Sequence, residues 1–436
     1  MKCALRVKRA TGALLAALVL PDGTWAHDDE EPDPYASTVV GERQPRSSAS
    51  AQRLGGDEIS LLPRRGAEDL LRSVPGLTLS QHGSEGKGHQ FFLRGFDAGH
   101  GADFEVTMEG IPLNEWSNVH GQGYLDLAHL VPEAVESIQV TKGPFEIHQG
   151  AFAVAGSAAY RLGIPAQRRG LFGAYSIGTT NRHRGVLTLS GKEGGDFLAV
   201  EGLHDTGFGQ NRDIDRAALL ARLRLVENRE KGDISLLAAA QLSRFGLPGA
   251  LREDALGAQG FFDAADPEGR GESGRAILGI TARREGEKSE TWASAFASYR
   301  VLEIAENYTL FLEDPVNGDR RLQRQRSLQS GLRLGQTYRL SAPLGLETGA
   351  GLTVDSLRQE ELHVGAEEIP LAQERALSGI QAQAHLLGGL HLQPTAGLRL
   401  FAGARAELAW VEMRDGAQAR VAGSALTLAP RTSAAW

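Results

Sequence analysis

One cysteine, Cys3, is all that the 436 residues contain. Everything after it lacks disulfides, thiolate metal ligands and a cysteine nucleophile. Long apolar runs are missing as well, and no segment approaches the roughly 18 consecutive apolar residues that a transmembrane helix needs. After Cys3 the chain either folds in water or crosses a membrane as a closed set of strands, the only other structure that satisfies its backbone there. Basic charge is also short. Lys and Arg number 46 against 54 Asp and Glu, a net charge of −8 that argues against nucleic acid as a partner.

Glycine, by contrast, is abundant: 54 residues, spread without a collagen-like period, against an average near 7%. Many turns and closely packed strands are expected. The first 26 residues read as a secretory signal peptide. Lys2, Arg6, Lys8 and Arg9 form a basic start, Gly12–Leu20 an apolar run too short to span a membrane, and Thr24-Trp25-Ala26 a cleavage site. Its removal takes away four basic groups and Asp22, so −8 becomes −11.

Residues 27–50 are polar and proline-bearing, an extended segment with one β-prone patch at Thr38-Val39-Val40. A mixed α+β region follows over 51–163. The spacing of Ala67, Leu70, Leu71 and Val74 predicts a helix within Asp57–Val74, closed by Pro75-Gly76. Strands are expected at Phe91–Leu93, Phe104–Met108, Ile111–Leu113 and Val135–Val140.

From about residue 170 the pattern alternates. Between Ala396 and Trp410 one face carries Leu398, Leu400, Ala402, Ala404, Ala406, Leu408 and Trp410, and the other Arg399, Phe401, Gly403, Arg405 and Glu407. Residues 217–226 and 378–386 repeat it. Arginines on the inside of a soluble sandwich are costly, whereas lipid on one face and a wet lumen on the other accept them. About twelve strands are expected over 164–436, with short connections at 192–195, 227–232, 284–290, 341–343 and 389–394. Longer ones are expected at 205–216, 244–273, 302–326 and 356–375. The alternation suits a transmembrane β-barrel, and a chain stopping at Trp436 within a strand pattern is expected to be a truncated one.

Four segments in order resemble the plug of TonB-dependent outer-membrane receptors: Ala67-Glu-Asp-Leu-Leu-Arg-Ser-Val-Pro-Gly-Leu, Phe92-Leu-Arg-Gly-Phe, Met108-Glu-Gly-Ile-Pro-Leu and Val135-Glu-Ser-Ile-Gln-Val-Thr-Lys-Gly-Pro. The resemblance implies an N-terminal α+β plug inside an all-β transmembrane barrel of 22 strands, about 12 of them present here. It implies that Thr38, Val39, Val40 and Gly41 form the TonB box, pairing as an added strand with the energy-transducing protein TonB. Arg94, Glu136 and Lys142 match charged plug positions that in the family form ion pairs within the plug and to the wall. The run His148–Tyr160 departs from the family's usual plug ending.

Six of the twelve histidines fall in the plug region: His82, His89, His100, His120, His129 and His148. Those in glycine-rich loops are candidates for outward-facing apices, and His82, His89, Trp116, His120 and Tyr124 are taken as candidate substrate contacts. Imidazoles suit zinc, copper, nickel or iron, but no i,i+4 pair or tight cluster defines a metal site. Lys87 is followed by Gly88 where a phosphate loop needs Ser or Thr, and no serine lies in a nucleophile elbow. The sequence therefore points to no enzyme and no cofactor. The resemblance implies a receptor in the outer membrane of a Gram-negative bacterium, with TonB, outer-membrane lipid and a small-molecule or metal-chelate substrate as partners. An iron-siderophore or similar chelate is the expected cargo. A bare metal complex, cobalamin or an organic nutrient is the alternative within the class, and a passive porin or a secreted β-sandwich enzyme the alternative outside it.

Overall fold

The computed structural model describes residues 4–6, 38–40 and 49–436, apart from 84, 229–231, 251–252, 254–259, 309–311, 313–318, 366–367 and 417–418. It divides into two compact units, Met1–Arg46 and Ser47–Trp436. In the first, strand β1 (Ala4–Arg6) pairs antiparallel with β2 (Thr38–Val40), with Leu5 opposite Val39.

The second unit opens with β3 (Ser50–Leu54) and a short helix, α1 (Gly56–Leu61). The helix expected over Asp57–Val74 is broken in two. Pro63 disfavours helical backbone at the residue before it, and Leu62 is extended at ψ 134°. Helical turns resume only at Glu68–Ser73, as a 3-10 helix that buries Leu70 and Leu71. Strands β4 (Leu77–Ser80), β5 (Gln90–Leu93) and β6 (Phe96–Asp97) form one small sheet. A second sheet runs in the order β3, β9 (Val135–Lys142), β10 (Gly156–Leu162), β7 (Phe104–Met108), β8 (Ile111–Pro112), with β10 and β7 parallel. Two tight hairpins organise this domain. Each turns on a residue followed by glycine, both at positive φ: Arg94 (54°) with Gly95 (81°), and Glu109 (49°) with Gly110 (81°). That is the backbone which matches the twist of the flanking strands. The core joins Leu70, Leu71, Met108 and Ile138 to Phe91 and Phe104, whose rings stack at 5.4 Å.

Twelve strands then form one sheet in which each pairs antiparallel with the next: β11 (Leu171–Ile177), β12 (His183–Ser190), β13 (Phe197–Asp205), β14 (Ile214–Asn228), β15 (Gly232–Gly246), β16 (Arg270–Glu285), β17 (Ser289–Asn307), β18 (Arg320–Arg339), β19 (Leu344–Val364), β20 (Pro370–Leu392), β21 (Arg399–Asp415) and β22 (Arg420–Ala435). The connections expected at 302–326 and 356–375 are shorter than their sequence suggested, spanning 308–319 and 365–369. Their flanks mix polar side chains with the buried Leu302, Ile304, Leu322 and Val364, so the alternation is irregular there while the backbone ladder continues.

Register decides what each face presents. One row crosses β14 to β22 through Leu223, Leu236, Ile280, Ala295, Leu332, Leu352, Ala384, Leu408 and Leu426, and every member is apolar. Its leucines and isoleucine face outward. The opposite face carries Arg184, Glu201, Arg216, Gln241, Arg275, Arg300, Gln325, Arg333, Gln359, Gln381 and Arg405, all buried. The α+β domain covers this polar face. On β12 to β17 its apolar core continues into Val186, Phe197, Ala199, Ala218, Leu220, Leu237, Ala239, Ile277 and Phe296. Leu71→Ala, at a fully buried position of the domain core, is expected to cost about 2–5 kcal/mol, read as a fall in the urea midpoint at unchanged slope.

Candidate functional site

The polar contacts between domain and sheet begin with charge. Arg184 donates to both oxygens of Glu133, at 3.0 and 2.8 Å, and to Glu201 at 2.8 Å through Nε. Arg216 completes the chain on the other oxygen of Glu201 at 2.8 Å. Burial alone would raise the Glu133 carboxyl, but the hydrogen bonds and charge of Arg184 outweigh it and hold Glu133 below its ordinary value. Further pairs cross between domain and sheet: Glu85 with Arg182 at 3.0 Å, Lys87 with Glu306 at 2.9 Å, Glu109 with Arg222 at 3.2 Å and His148 with Glu347 at 2.5 Å, and Glu115 meets Arg300. Strands β18 to β22 add neutral and backbone contacts. Gln325 binds the Val119 amide and Glu115, Gln359 binds Ser117, Arg333 the Gly110 carbonyl, and Arg431 the Gln149 carbonyl.

Arg94, Glu136 and Lys142 are not among these pairs. None makes an ion pair with another described residue. Arg94 sits at the tip of a hairpin, exposed, and its charge is the one felt by Lys142, a like pair. Glu136 points outward from β9 against Gly163. The interdomain pairing falls instead to Glu85, Lys87, Glu109, Glu115, Glu133 and His148, none of which was expected as an ion-pair residue.

The candidate substrate contacts separate into three places. His82 and His120 converge on His100, which the sequence reading left out of the site. The ring centres of His82 and His100 lie 5.9 Å apart, and those of His100 and His120 5.3 Å apart. Tyr124 stands 6.0 Å from both His100 and His120, and Tyr308 6.3 Å from His120. Glycine makes the assembly possible. A side chain at Gly88 would put Cβ 2.6 Å from the Leu125 carbonyl, and without one the Gly88 amide donates to the Tyr124 hydroxyl at 2.7 Å. Gly123, at φ +72°, packs so closely on Ala102 that a Cβ would fall 2.3 Å from its Cα. The cluster lies at the end of the sheet carrying the 247–269 and 308–319 connections, since Tyr308 follows β17 and Gln323 is early in β18. His89 is buried in the domain interior, and burial lowers its pKa to about 4. Trp116 packs edge-on against Phe152 at 6.2 Å. Thr38, Val39 and Val40 form β2, in the other unit, and Gly41 lies outside the described residues.

His100 shares its Nδ1 with the Gly88 carbonyl at 2.9 Å, and His120 shares its Nδ1 with Gln323 at 3.1 Å. Burial lowers both pKa values, that of His120 to about 3 with the nearby Lys87 charge adding to the effect. Both rings are neutral at pH 7. Among the described residues no group of three or more His, Cys, Asp or Glu is arranged to hold a metal ion. A second polar knot occupies the opposite, short-turn end, where Glu347 accepts from His148 and from His391 at 2.6 Å.

Residues 43–157 match the family model of the TonB-dependent receptor plug domain. This part of the chain is thus similar to the plug domain of TonB-dependent receptors. Plug and sheet together share the fold of solved transporters. The ferric citrate transporter FecA in its unliganded form aligns at TM-score 0.71 and 13% identity, over 89% of this chain and 60% of that one. The ferripyoverdine receptor of the outer membrane of Pseudomonas aeruginosa aligns at 0.68 and 13%, over 91% and 56%. The copper transporter OprC aligns at 0.65 and 16%, over 89% and 60%. The chain thus spans between 56% and 60% of the length of these three structures. The twelve-stranded sheet is the corresponding part of their barrel fold, with the plug on its inner face.

Removing the Arg184 side chain leaves Glu133, among the described residues, with only Arg64, at 3.6 Å, and Glu201 with only Arg216. Arg184→Ala is expected to destabilise the plug-bearing chain by about 3–5 kcal/mol, and the added change Glu133→Gln to recover part of it in denaturant melts, whereas Glu201→Gln, which takes the partner from Arg216, is expected to worsen it. The plug also holds His129, fully buried with neither ring nitrogen hydrogen-bonded to a described residue, and burial keeps its pKa well below 6.5. Unfolding lets it take up a proton once the pH falls below 6.5, so stability is present above that value and lost below it. His129→Leu is expected to flatten the pH dependence of stability between pH 6.5 and 5 by roughly 1.4 kcal/mol per pH unit, measured by unfolding at stepped pH.

Proposed function

We propose that this chain serves as a TonB-dependent receptor in the outer membrane of a Gram-negative bacterium, importing a scarce nutrient whose form is a metal chelate. One observation carries the reading: a folded plug sits against the charged inner face of a sheet whose outer face is apolar along an unbroken nine-strand row. Lipid accepts the outer row, and the plug occupies the wet side. A passive porin has no use for an inner domain tied to its wall by buried ion pairs, and the family of this plug consists of transporters rather than enzymes.

Direction follows from loop length. In such barrels the long connections face outward and the short turns face the periplasm. His82, His120 and Tyr124, with His100 and Tyr308, then meet the cargo first, and the Glu347 knot faces the side where TonB acts. The β-branched run Thr38-Val39-Val40 supports the assignment of Thr38–Gly41 as the TonB box, because it favours the extended backbone that strand addition needs. Residues 1–26 act as an export signal in this reading.

Deletion of Thr38–Gly41 distinguishes an energised receptor from a pore. In cells limited for each metal in turn, accumulation of one metal is expected to fall to the level of the gene-deletion strain while the protein stays in the outer-membrane fraction. Accumulation equal to wild type for every metal refutes the proposal.

A further inference from the structure

The outer face of the sheet changes character toward the long connections. At one level there, Val301, Arg326, Arg358, Ser378, Arg414 and Arg420 stand opposite one another in turn across β17 to β22. Two residues along each strand toward the short turns, the next outward level carries Tyr299, Leu328, Ser356, Ile380 and Glu412. Tyr299, Leu328 and Ile380 are exposed on this face, and Trp410 stands exposed one level further in. Outward aromatic residues at the rim of an apolar band mark the membrane–water interface, so the arginine level lies just outside it. Acid does not match it. Arg420 is held by Glu412 at 2.9 Å, but Arg326, Arg358 and Arg414 are exposed and form no ion pair with another described residue. Arg326 and Arg358 are a directly opposed pair, about 5 Å apart at Cα. Like charges so placed destabilise a sheet. Both line a groove of about 630 Å³ that also includes Val301. The acids of that groove are already taken: Glu272 by Arg244 at 3.1 Å, and Glu303 and Glu360 by Arg324 at 2.9 and 3.7 Å.

We propose that Arg326 and Arg358 clamp one phosphomonoester on the headgroup of a lipid in the outward leaflet, with Arg414 holding further anionic headgroup at the same level. A guanidinium fork matches two phosphate oxygens at once. Two such forks carry the charge of a phosphomonoester, about −1.5 to −2 near pH 7. A phosphodiester, with a single charge, leaves one arginine unmatched. The acyl chains of the same lipid then fall on Leu328 and Ile380, inside the interface. The inference rests on the membrane placement in the import reading and is independent of cargo and of TonB.

The purified full chain in detergent is offered diphosphoryl lipid A, whose phosphates are monoesters, and bound lipid is measured by native mass spectrometry. Wild type is expected to bind it, and to bind the dephosphorylated lipid or the phosphodiester phosphatidylglycerol at least about 10-fold more weakly. In Arg326→Ala/Arg358→Ala the affinity for diphosphoryl lipid A is expected to fall about 10- to 100-fold, through loss of hydrogen bonds to a charged group. Arg326→Lys/Arg358→Lys, which keeps the charge and loses the fork, is expected to fall between wild type and the alanine variant. Circular dichroism and heat-modifiable gel mobility establish that each variant is folded. Equal binding by wild type and the folded alanine variant overturns the proposal. So does equal binding of the phosphorylated and dephosphorylated lipids by wild type, or displacement of the lipid by the same concentration of inorganic phosphate. Failure of the membrane placement shows differently, as a chain that stays in solution without detergent whichever lipid is offered.

Discussion

An arginine turned toward the inside of this molecule has to find a carboxylate there. Arg184 is buried between Glu133 of the plug and Glu201 of the neighbouring strand, with Arg216 on the far oxygen of Glu201. Left unpaired, any one of these charges would cost several kcal/mol, so the two parts of the chain are obliged to meet in one register. The rest of the architecture follows from that obligation. The period-2 alternation of strands sends charges to one face and leucines to the other, and the plug is what makes the charged face tenable.

The architecture was largely legible in the sequence. Alternation placed all twelve strands because lipid on one side and charge on the other impose a strict period of two. The short segments Phe92-Leu-Arg-Gly-Phe and Met108-Glu-Gly-Ile-Pro-Leu marked the plug, and the structure gives the reason: both encode hairpin turns whose glycines sit at positive φ. The helix over Asp57–Val74 was misjudged because hydrophobic spacing continues across Pro63 while backbone geometry does not.

The site was legible only in part. His82, His120 and Tyr124 were singled out for their glycine-rich surroundings and do come together. Gly99-His100-Gly101 offered the same signal and supplies the central ring. Tyr308 and Gln323 carry no local mark at all, since their place depends on which strand of the sheet faces the plug apex. Arg94, Glu136 and Lys142 show the converse. A residue can match a family position while its backbone, here a hairpin tip or an outward strand position, gives it no anion to meet within the described chain.

The inner wall is also uneven in its chemistry, and this has a thermal consequence. Strands β12 to β17 join the plug's core through Val186, Leu220, Ile277 and Phe296, whereas β18 to β22 touch it mainly through polar groups: amides, guanidinium groups, carbonyls and the Glu347 carboxylate on His148. Apolar contact weakens on cooling and carries a large heat-capacity change, while a hydrogen-bonded contact exchanges with water at little such change. The plug thus has a seam that responds to temperature and a seam that responds to hydration. Water on the β18 to β22 side can replace most of these bonds in kind, whereas nothing in water replaces the apolar contacts on the β12 to β17 side.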